Sequence, residues 1–335
     1  MSQKIRVAVD AMGGDNSPKK IIDGIIHNSK DNSDVIYNIF GDKTLIENFL
    51  PYNYNKNIFH ITDTKNKILD TDTPLTAAKK GKDTSMWMTI QSLKNNNSDI
   101  AISAGNTGAL FVIAKLILKM IENIDKPALS ALWPNKKNFN VVLDLGANIE
   151  CNEKNLLDFS IMGSSLYKAL YPDDKPVVAL LNVGSEELKG NDTIKKAYNI
   201  LQNRKNNNFI FFGYVEGNNI MDGKVNVIVT DGFTGNIALK TAEGTANFIV
   251  KEFKESMSSN ILGKISSLIN IKNLKKVKKK LDPRRYNGAI LIGLNFPVVK
   301  SHGSTDYIGF SNSLNVCVKI VKNNLIQKIK ENIKK

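Results

Sequence analysis

The stretch Val7-Ala8-Val9-Asp10-Ala11-Met12-Gly13-Gly14-Asp15-Asn16-Ser17-Pro18 runs an apolar strand into a carboxylate, two glycines and a second carboxylate. Gly13 and Gly14 allow positive φ and let the backbone approach a ligand without Cβ interference. Ser17 followed by Pro18 reads as an N-cap with proline at the first helical position. A strand, glycine turn and helix start together expose unpaired N–H groups, which suits an anion such as phosphate. For this stretch alone, a plain tight turn is the competing reading.

The same pattern recurs. Ser103-Ala104-Gly105-Asn106-Thr107-Gly108, Asp144-Leu145-Gly146-Ala147-Asn148 and Thr230-Asp231-Gly232-Phe233-Thr234-Gly235-Asn236 each follow an apolar run. In open parallel sheets, ligands bind beyond the carboxyl ends of the strands, so four such loops are expected to converge on one polar cleft. Lys189, in Gly184-Ser185-Glu186-Glu187-Leu188-Lys189-Gly190-Asn191, stands before a helix where it can neutralise an oxyanion. His302, in Ser301-His302-Gly303-Ser304, precedes the last helix. A solvated loop lysine and a helix-start hydrogen-bonding residue are the plain alternatives for these two. Asp10, Asp15, Asp144 and Asp231 are possible metal ligands, but strand-end aspartates commonly accept loop N–H bonds, and no metal is assigned. The chain lacks a G-x-S-x-G elbow, a Walker A loop and the G-x-G-x-x-G spacing of a dinucleotide site.

These loops need a scaffold, and the chain supplies one. Its 335 residues are 42% hydrophobic, enough for one large α/β core or two lobes. Strands are expected at Ile5–Asp10, Val35–Phe40, Ile58–Ile61, Ile100–Ser103, Val141–Asp144, Val177–Leu181, Phe209–Phe212 and Val225–Val229. Helical patterns at Ser85–Leu93, Gly108–Ile121, Glu153–Leu170 and Asn191–Arg204 alternate with them. That alternation predicts an α/β fold, a mainly parallel Rossmann-like sheet with helices on both faces, in a single unit over 1–335. From Phe253 to Leu281 apolar residues recur every three or four positions among lysines, reading as one or two amphipathic helices divided near Gly263 or Asn270. A final helix is expected from Asp306 to Lys330, with Cys317 on its apolar stripe as a small core residue.

The formal charge is +14, and it is concentrated: Lys251 to Lys335 holds 18 Lys+Arg against 5 Asp+Glu, the first 250 residues 28 against 27. An acidic partner or an anionic membrane surface near the C-terminal quarter accounts for this, as does compositional drift toward Asn, Lys and Ile. No signal-peptide pattern and no apolar run of transmembrane length is present, so a cytoplasmic protein is expected. Cys151 and Cys317 offer neither a disulfide framework nor metal-ligand spacing. A nucleic-acid role for the Lys272–Arg285 patch finds no aromatic recognition motif or zinc module to support it.

Taken in order, V-A-V-D-A-M-G-G-D-N-S-P, K-D-T-S-M at 82–86, I-S-A-G-N-T-G-A-L, L-D-L-G-A-N, N-V-G-S-E-E-L-K-G-N-D, Y-V-E-G, V-T-D-G-F-T-G-N and S-H-G-S resemble the bacterial phosphate acyltransferase (PlsX) family from about residue 5 to 325. The resemblance implies transfer of a long acyl chain from acyl carrier protein to inorganic phosphate, giving acyl phosphate for phospholipid synthesis. It also implies a homodimer of isocitrate/isopropylmalate-dehydrogenase-like fold, no cofactor, and coupling to a membrane acyl-phosphate:glycerol-3-phosphate acyltransferase. A phosphotransacetylase or dehydrogenase of the same fold is the alternative enzyme. Phosphate is then itself the nucleophile, which leaves Cys151 without a catalytic assignment. Gly13, Gly14, Asn106, Thr107 and Gly108 match family loops as a phosphate cradle, with Asp10 and Asp231 beside the substrate. Lys189 matches a charge for phosphate or oxyanion, Asn236 a donor to the carbonyl, and His302 an aid to the leaving thiolate or phosphate. Tyr286-Asn287-Gly288-Ala289-Ile290 and Asn295-Phe296-Pro297-Val298 depart from the family pattern, and Lys79-Lys80 falls where Arg is common. The basic amphipathic segment fits docking of the acidic carrier, contact with anionic lipid at the inner membrane face, or packing across the dimer.

Overall fold

The computed structural model describes residues 4–204, 208–259, 269–280 and 282–334. Its strands are β1 (Ile5–Asp10), β2 (Val35–Gly41), β3 (Phe59–Asp63), β4 (Ile100–Ser103), β5 (Ala128–Pro134), β6 (Phe139–Leu143), β7 (Val177–Asn182), β8 (Ile210–Glu216), β9 (Val227–Val229), β10 (Ala289–Ile292) and β11 (Val298–Lys300). They form one sheet in the order β3-β2-β1-β4-β11-β10-β5-β6-β9-β7-β8. The helices are α1 (Lys19–Ser29), α2 (Lys43–Glu47), α3 (Pro74–Lys80), α4 (Ser85–Lys94), α5 (Thr107–Leu118), α6 (Glu153–Leu170), α7 (Asp192–Asn203), α8 (Gly232–Ser258), α9 (Ile271–Lys280), α10 (Tyr307–Lys322) and α11 (Leu325–Ile333).

Sheet polarity decides where the loops go. β1, β2, β3, β4 and β11 run parallel to one another. β10 is antiparallel to both β11 and β5, and β5 is antiparallel to β6. β6, β9, β7 and β8 are again mutually parallel, so they run opposite to the first group. The carboxyl ends of the two groups therefore lie on opposite edges, roughly 13–20 Å apart for strands of four to six residues. The expected convergence of all four glycine loops on one cleft does not occur within one chain. β5, β10 and β11 are absent from the strands read in the sequence; β10 and β11 are only four and three residues long.

The first group's core joins Val7, Val9, Ile39 and Ile102 to Ile21, Ile22 and Ile25 of α1 and Phe310 and Leu314 of α10. On the other face α4 and α5 bury Met86, Ile90, Ile113 and Ile117. In the second group α6 is buried along most of its length, held at its start by a reciprocal Asn152–Asn155 capping box. Cys317 is fully buried in this core, as its stripe predicts.

Three local expectations change. Ser17 does not cap α1: its Oγ donates to the Gly13 carbonyl at 2.5 Å, Pro18 occupies the cap position after a cis peptide bond, and the helix begins at Lys19. The final helix is two, because Asn324 adopts φ 50° between α10 and α11; Asn tolerates this left-handed conformation better than most residues. The amphipathic segment is partly described. α8 starts well before it, and from 243 to 256 the helix is exposed on every face, Phe248 and Phe253 included. Ile261, Gly263, Ile265, Leu268 and Leu281 lie outside the described residues. No described helix is long and apolar enough to cross a membrane.

Candidate active site

The first edge gathers the turns that follow β1, β4 and β11. Asp10, 1% exposed, accepts from Ser85 Oγ (2.7 Å) and Met12 N (3.2 Å) on Oδ1, and from Ser103 Oγ (2.6 Å) on Oδ2. Ser103 Oγ in turn accepts from Gly105 N at 3.1 Å. Burial pushes the Asp10 carboxyl up, while those hydrogen bonds and the Lys300 charge act the other way. With its oxygens taken up by protein donors, Asp10 ties the β1 turn to the β4 turn instead of facing a substrate. The Gly13-Gly14 turn closes against the third loop through Asp15 N–H to Gly303 O, 3.0 Å. Gly14, at φ +78°, has no room for a side chain between Ala104 O and Gly303 O.

Asn106 caps α5 through Oδ1 to Ala109 N (3.0 Å), and its amide nitrogen donates to the Asp70 and Asp72 carbonyls. Thr107 is exposed beside it, and Gly108 packs on the Pro74 ring. His302 is exposed; its backbone N–H donates to Asn287 Oδ1 (2.9 Å), and its Nδ1 lies 3.0 Å from Ser304 Oγ. Gly13, Gly14, Asn106, Thr107, Gly108 and His302 thus share one edge with Asp10.

Two lysines join them that the sequence reading did not single out. Lys20, on α1, is buried and donates to Gly303 O. Lys300, the last residue of β11, donates to Ala104 O (3.3 Å) and to Ser301 O. Burial lowers the Lys300 ammonium to about 8; Lys20 adds to that, and Asp70 and Asp10 oppose it. Lys20 is lowered by burial as well, against Asp15 and Asp70. The position of Lys300 at the end of the Val298-Val299 run, directly before the Ser-His-Gly turn, was a usable signal.

The second edge gathers the turns after β6, β9 and β7. Asp144 is fully buried and accepts from Leu129 N (2.9 Å), Ala147 N (3.1 Å), Asn148 N (2.7 Å) and Asn148 Nδ2 (2.8 Å). Gly235 lies so close to the Asp144 carbonyl that a Cβ there would come within 1.9 Å of the oxygen. Asp231 caps α8, accepting from Thr234 N and Oγ1 at 2.8 Å each. Asn236 Nδ2 donates to Leu145 O (3.2 Å), steadying the turn at Gly146. Lys189 is exposed in the loop before α7, which Asn182 holds by donating to the Lys189 carbonyl at 3.1 Å. Lys189, Asn236 and Asp231 therefore share the second edge, apart from the first.

A cleft of about 600 Å³ opens here, lined by Leu156, Leu180, Val229, Phe233, Asp231 and Cys151 among others, with the N-terminal turns of α7 and α8 at its rim. Cys151 is not a prepared nucleophile: burial, then the Asp144 charge, push its thiol up to about 11. Among the described residues no group of three or more His, Cys, Asp or Glu is placed to hold a metal ion.

Comparison with known proteins fits this architecture. A family model described as fatty acid synthesis protein matches residues 5–328. The chain is 68% identical over 333 residues to a phosphate acyltransferase of Pelagibacter ubique, covering 99% of this chain and 100% of that one. It is 40% identical to a phosphate acyltransferase of Paramagnetospirillum magneticum, covering 99% and 94%. Among solved structures it resembles a Streptococcus pyogenes phosphotransacetylase (TM-score 0.64, 14% identity, 96% and 95% covered). It also resembles a Klebsiella pneumoniae 4-hydroxythreonine-4-phosphate dehydrogenase (TM-score 0.53, 12% identity, 96% and 100% covered). At such identities these two establish the α/β fold alone. With a family model spanning nearly its whole length and full-length relatives far above chance identity, the chain belongs to the fatty acid synthesis protein family, an acyltransferase family by the names of its curated relatives.

Proposed function

We propose that the chain transfers a long acyl group from acyl carrier protein to inorganic phosphate, forming acyl phosphate for phospholipid synthesis. The observation that carries this reading is the interlocking of three glycine-bearing turns, around Gly13-Gly14, Gly105 and Gly303, at one carboxyl edge of the sheet. Such turns bring backbone close to an anion and point N–H groups at it. Gly13, Gly14, Asn106, Thr107 and Gly108 are the cradle in this reading.

A phosphate oxygen attacks the thioester carbonyl carbon, the C–O bond forms, and charge moves to the carbonyl oxygen. Collapse of that intermediate breaks the C–S bond and releases the pantetheine thiolate, which His302 can protonate. The protein's contribution is orientation of the two reactants and stabilisation of the developing oxyanion. Lys189 supplies charge and Asn236 its remaining hydrogen-bonding capacity to that oxyanion. Because those two stand on the opposite edge, they serve the phosphate edge of a second copy. A homodimer that apposes the two edges is part of the proposal, with the exposed half of α8 as a surface left to a partner copy, the acidic carrier or anionic lipid.

The test incubates purified protein with palmitoyl-acyl carrier protein and phosphate and traps acyl phosphate with hydroxylamine. Phosphate-dependent hydroxamate is expected. Its absence, from folded protein and intact thioester, would sink the reading.

A further inference from the structure

Lys20 and Lys300 present a charge problem that the fold alone leaves unsolved. Lys20 is 7% exposed, and burying an ammonium is costly unless it is paired. Neither lysine forms an ion pair with a carboxylate among the described residues; their partners are the carbonyls of Gly303, Ala104 and Ser301. The buried carboxylate of the neighbourhood, Asp10, is already engaged by Ser85, Ser103 and Met12. Asp15 and Asp70 act only at longer range. The two cations also oppose each other. Each ammonium keeps donor capacity beyond its carbonyl bonds, two N–H for Lys20 and one for Lys300. The space around them is bounded by backbone: a Cβ on Gly14 would lie 3.0 Å from Lys20 Nζ and 2.9 Å from the Ala104 oxygen to which Lys300 donates.

We infer that Lys300 and Lys20 form the charged floor of a subsite for the free phosphate dianion at the ends of β1, β4 and β11, with Lys300 in direct contact with the anion. This deepens, and rests on, the phosphate-using acyl transfer proposed above. A dianion resolves what one carboxylate cannot, since it answers two separated cations at once while its remaining oxygens accept from the glycine turns. The other source of the same chemistry is the phosphodiester of the carrier's pantetheine arm, a monoanion with two oxygens blocked.

The experiment titrates wild type, Lys300→Met, Lys300→Arg and Lys20→Met with inorganic phosphate and with dimethyl phosphate by calorimetry, and measures KM for phosphate and for palmitoyl-acyl carrier protein. Thermal unfolding confirms that each variant is folded. The Kd and KM for phosphate should rise roughly tenfold or more in Lys300→Met, the loss of a charge-assisted bond, and severalfold in Lys20→Met. Lys300→Arg should recover part of the loss, and the carrier KM should hold. A folded Lys300→Met with wild-type phosphate Kd and KM overturns the subsite and leaves the acyltransferase reading standing. Dimethyl phosphate binding as tightly as inorganic phosphate overturns the choice of ligand. A wild type that makes no hydroxamate defeats the function, while phosphate calorimetry still judges the subsite.

Discussion

Gly13 and Gly105 meet backbone to backbone: a Cβ built on Gly13 would lie 2.5 Å from the Gly105 nitrogen and 2.9 Å from its Cα. The Ser103 hydroxyl links this contact to Asp10, because it accepts from Gly105 N and donates to the carboxylate. Two loops ninety residues apart in sequence therefore form one rigid surface, and the third, at Gly303, is joined to it through Asp15.

Gly13→Ala tests that surface. The obstructing atoms are the Gly105 backbone and Asp10 Oδ2, which Ser103 holds in place, so relief requires the β1 and β4 turns to separate, at a cost of about 1–3 kcal/mol in the manner of overpacking. Urea unfolding should show that loss, and the phosphate KM should rise with it. Gly217→Ala is the control: a Cβ there meets nothing within 4 Å, and its stability should stay within about 0.5 kcal/mol of wild type. Equal behaviour of the two variants would contradict the packing argument.

Lys300 makes stability depend on pH in a defined direction. Its ammonium is lowered from 10.5 to about 8, so between these values the unfolded chain holds a proton that the native protein has released. Stability from this group therefore rises with pH through that window. Below pH 8 both states are protonated, and the native state carries a penalty of about 3 kcal/mol. The groups facing it are Lys20 on α1, Asp10 on β1 and Asp70 in the loop before α3. Lys300→Met should thus be more stable than wild type at pH 7, and the advantage should shrink toward pH 10 in phosphate-free urea titrations. A destabilised Lys300→Met at pH 7 would mean that the lysine has a partner in the folded protein.

Much of this edge was legible in the sequence, and the limits are instructive. Val7 to Gly14 announces a strand and a close-approach turn through local chemistry alone. What Asp10 does is not local: its partners Ser85 and Ser103 come 75 and 93 residues later. Nor is the reversal of the sheet local. It follows from pairing β10 to both β5 and β11, as in Leu291 opposite Leu129 and Val298, and strands of three or four residues carry too little periodicity to announce it. Lys20 reads as one of two adjacent helix lysines, and only the packing of the Gly303 loop onto α1 buries it.

Cys151 lines the second cleft with its thiol held in the protonated form by burial and the Asp144 charge. With its thiol pushed up to about 11, on the order of one molecule in a thousand is thiolate at pH 8. Cys151→Ala should form hydroxamate at close to the wild-type rate, and iodoacetamide at pH 7.5 should neither label the residue quickly nor inhibit the enzyme. Rapid alkylation would contradict the raised thiol, and a Cys151→Ala variant that is folded but inactive would give the thiol a part in the reaction.

The opposed edges give the composite site its sharpest test. Lys300 ends β11 and Lys189 lies in the loop after β7, on strands of opposite direction, so the proposed site draws the two from different copies. Lys189→Ala and Lys300→Met should each lower hydroxamate formation when prepared alone. Co-expressed and purified through different tags, the two variants form mixed dimers in which one of the two sites draws its lysines from unaltered edges. Selection on both tags keeps only the mixed dimers, each with one intact site of its two, so about half of the wild-type sites are restored. Recovery to that level places the chemistry between copies. If the mixture is no more active than its parts while light scattering shows a dimer, the site does not combine Lys189 of one copy with Lys300 of another.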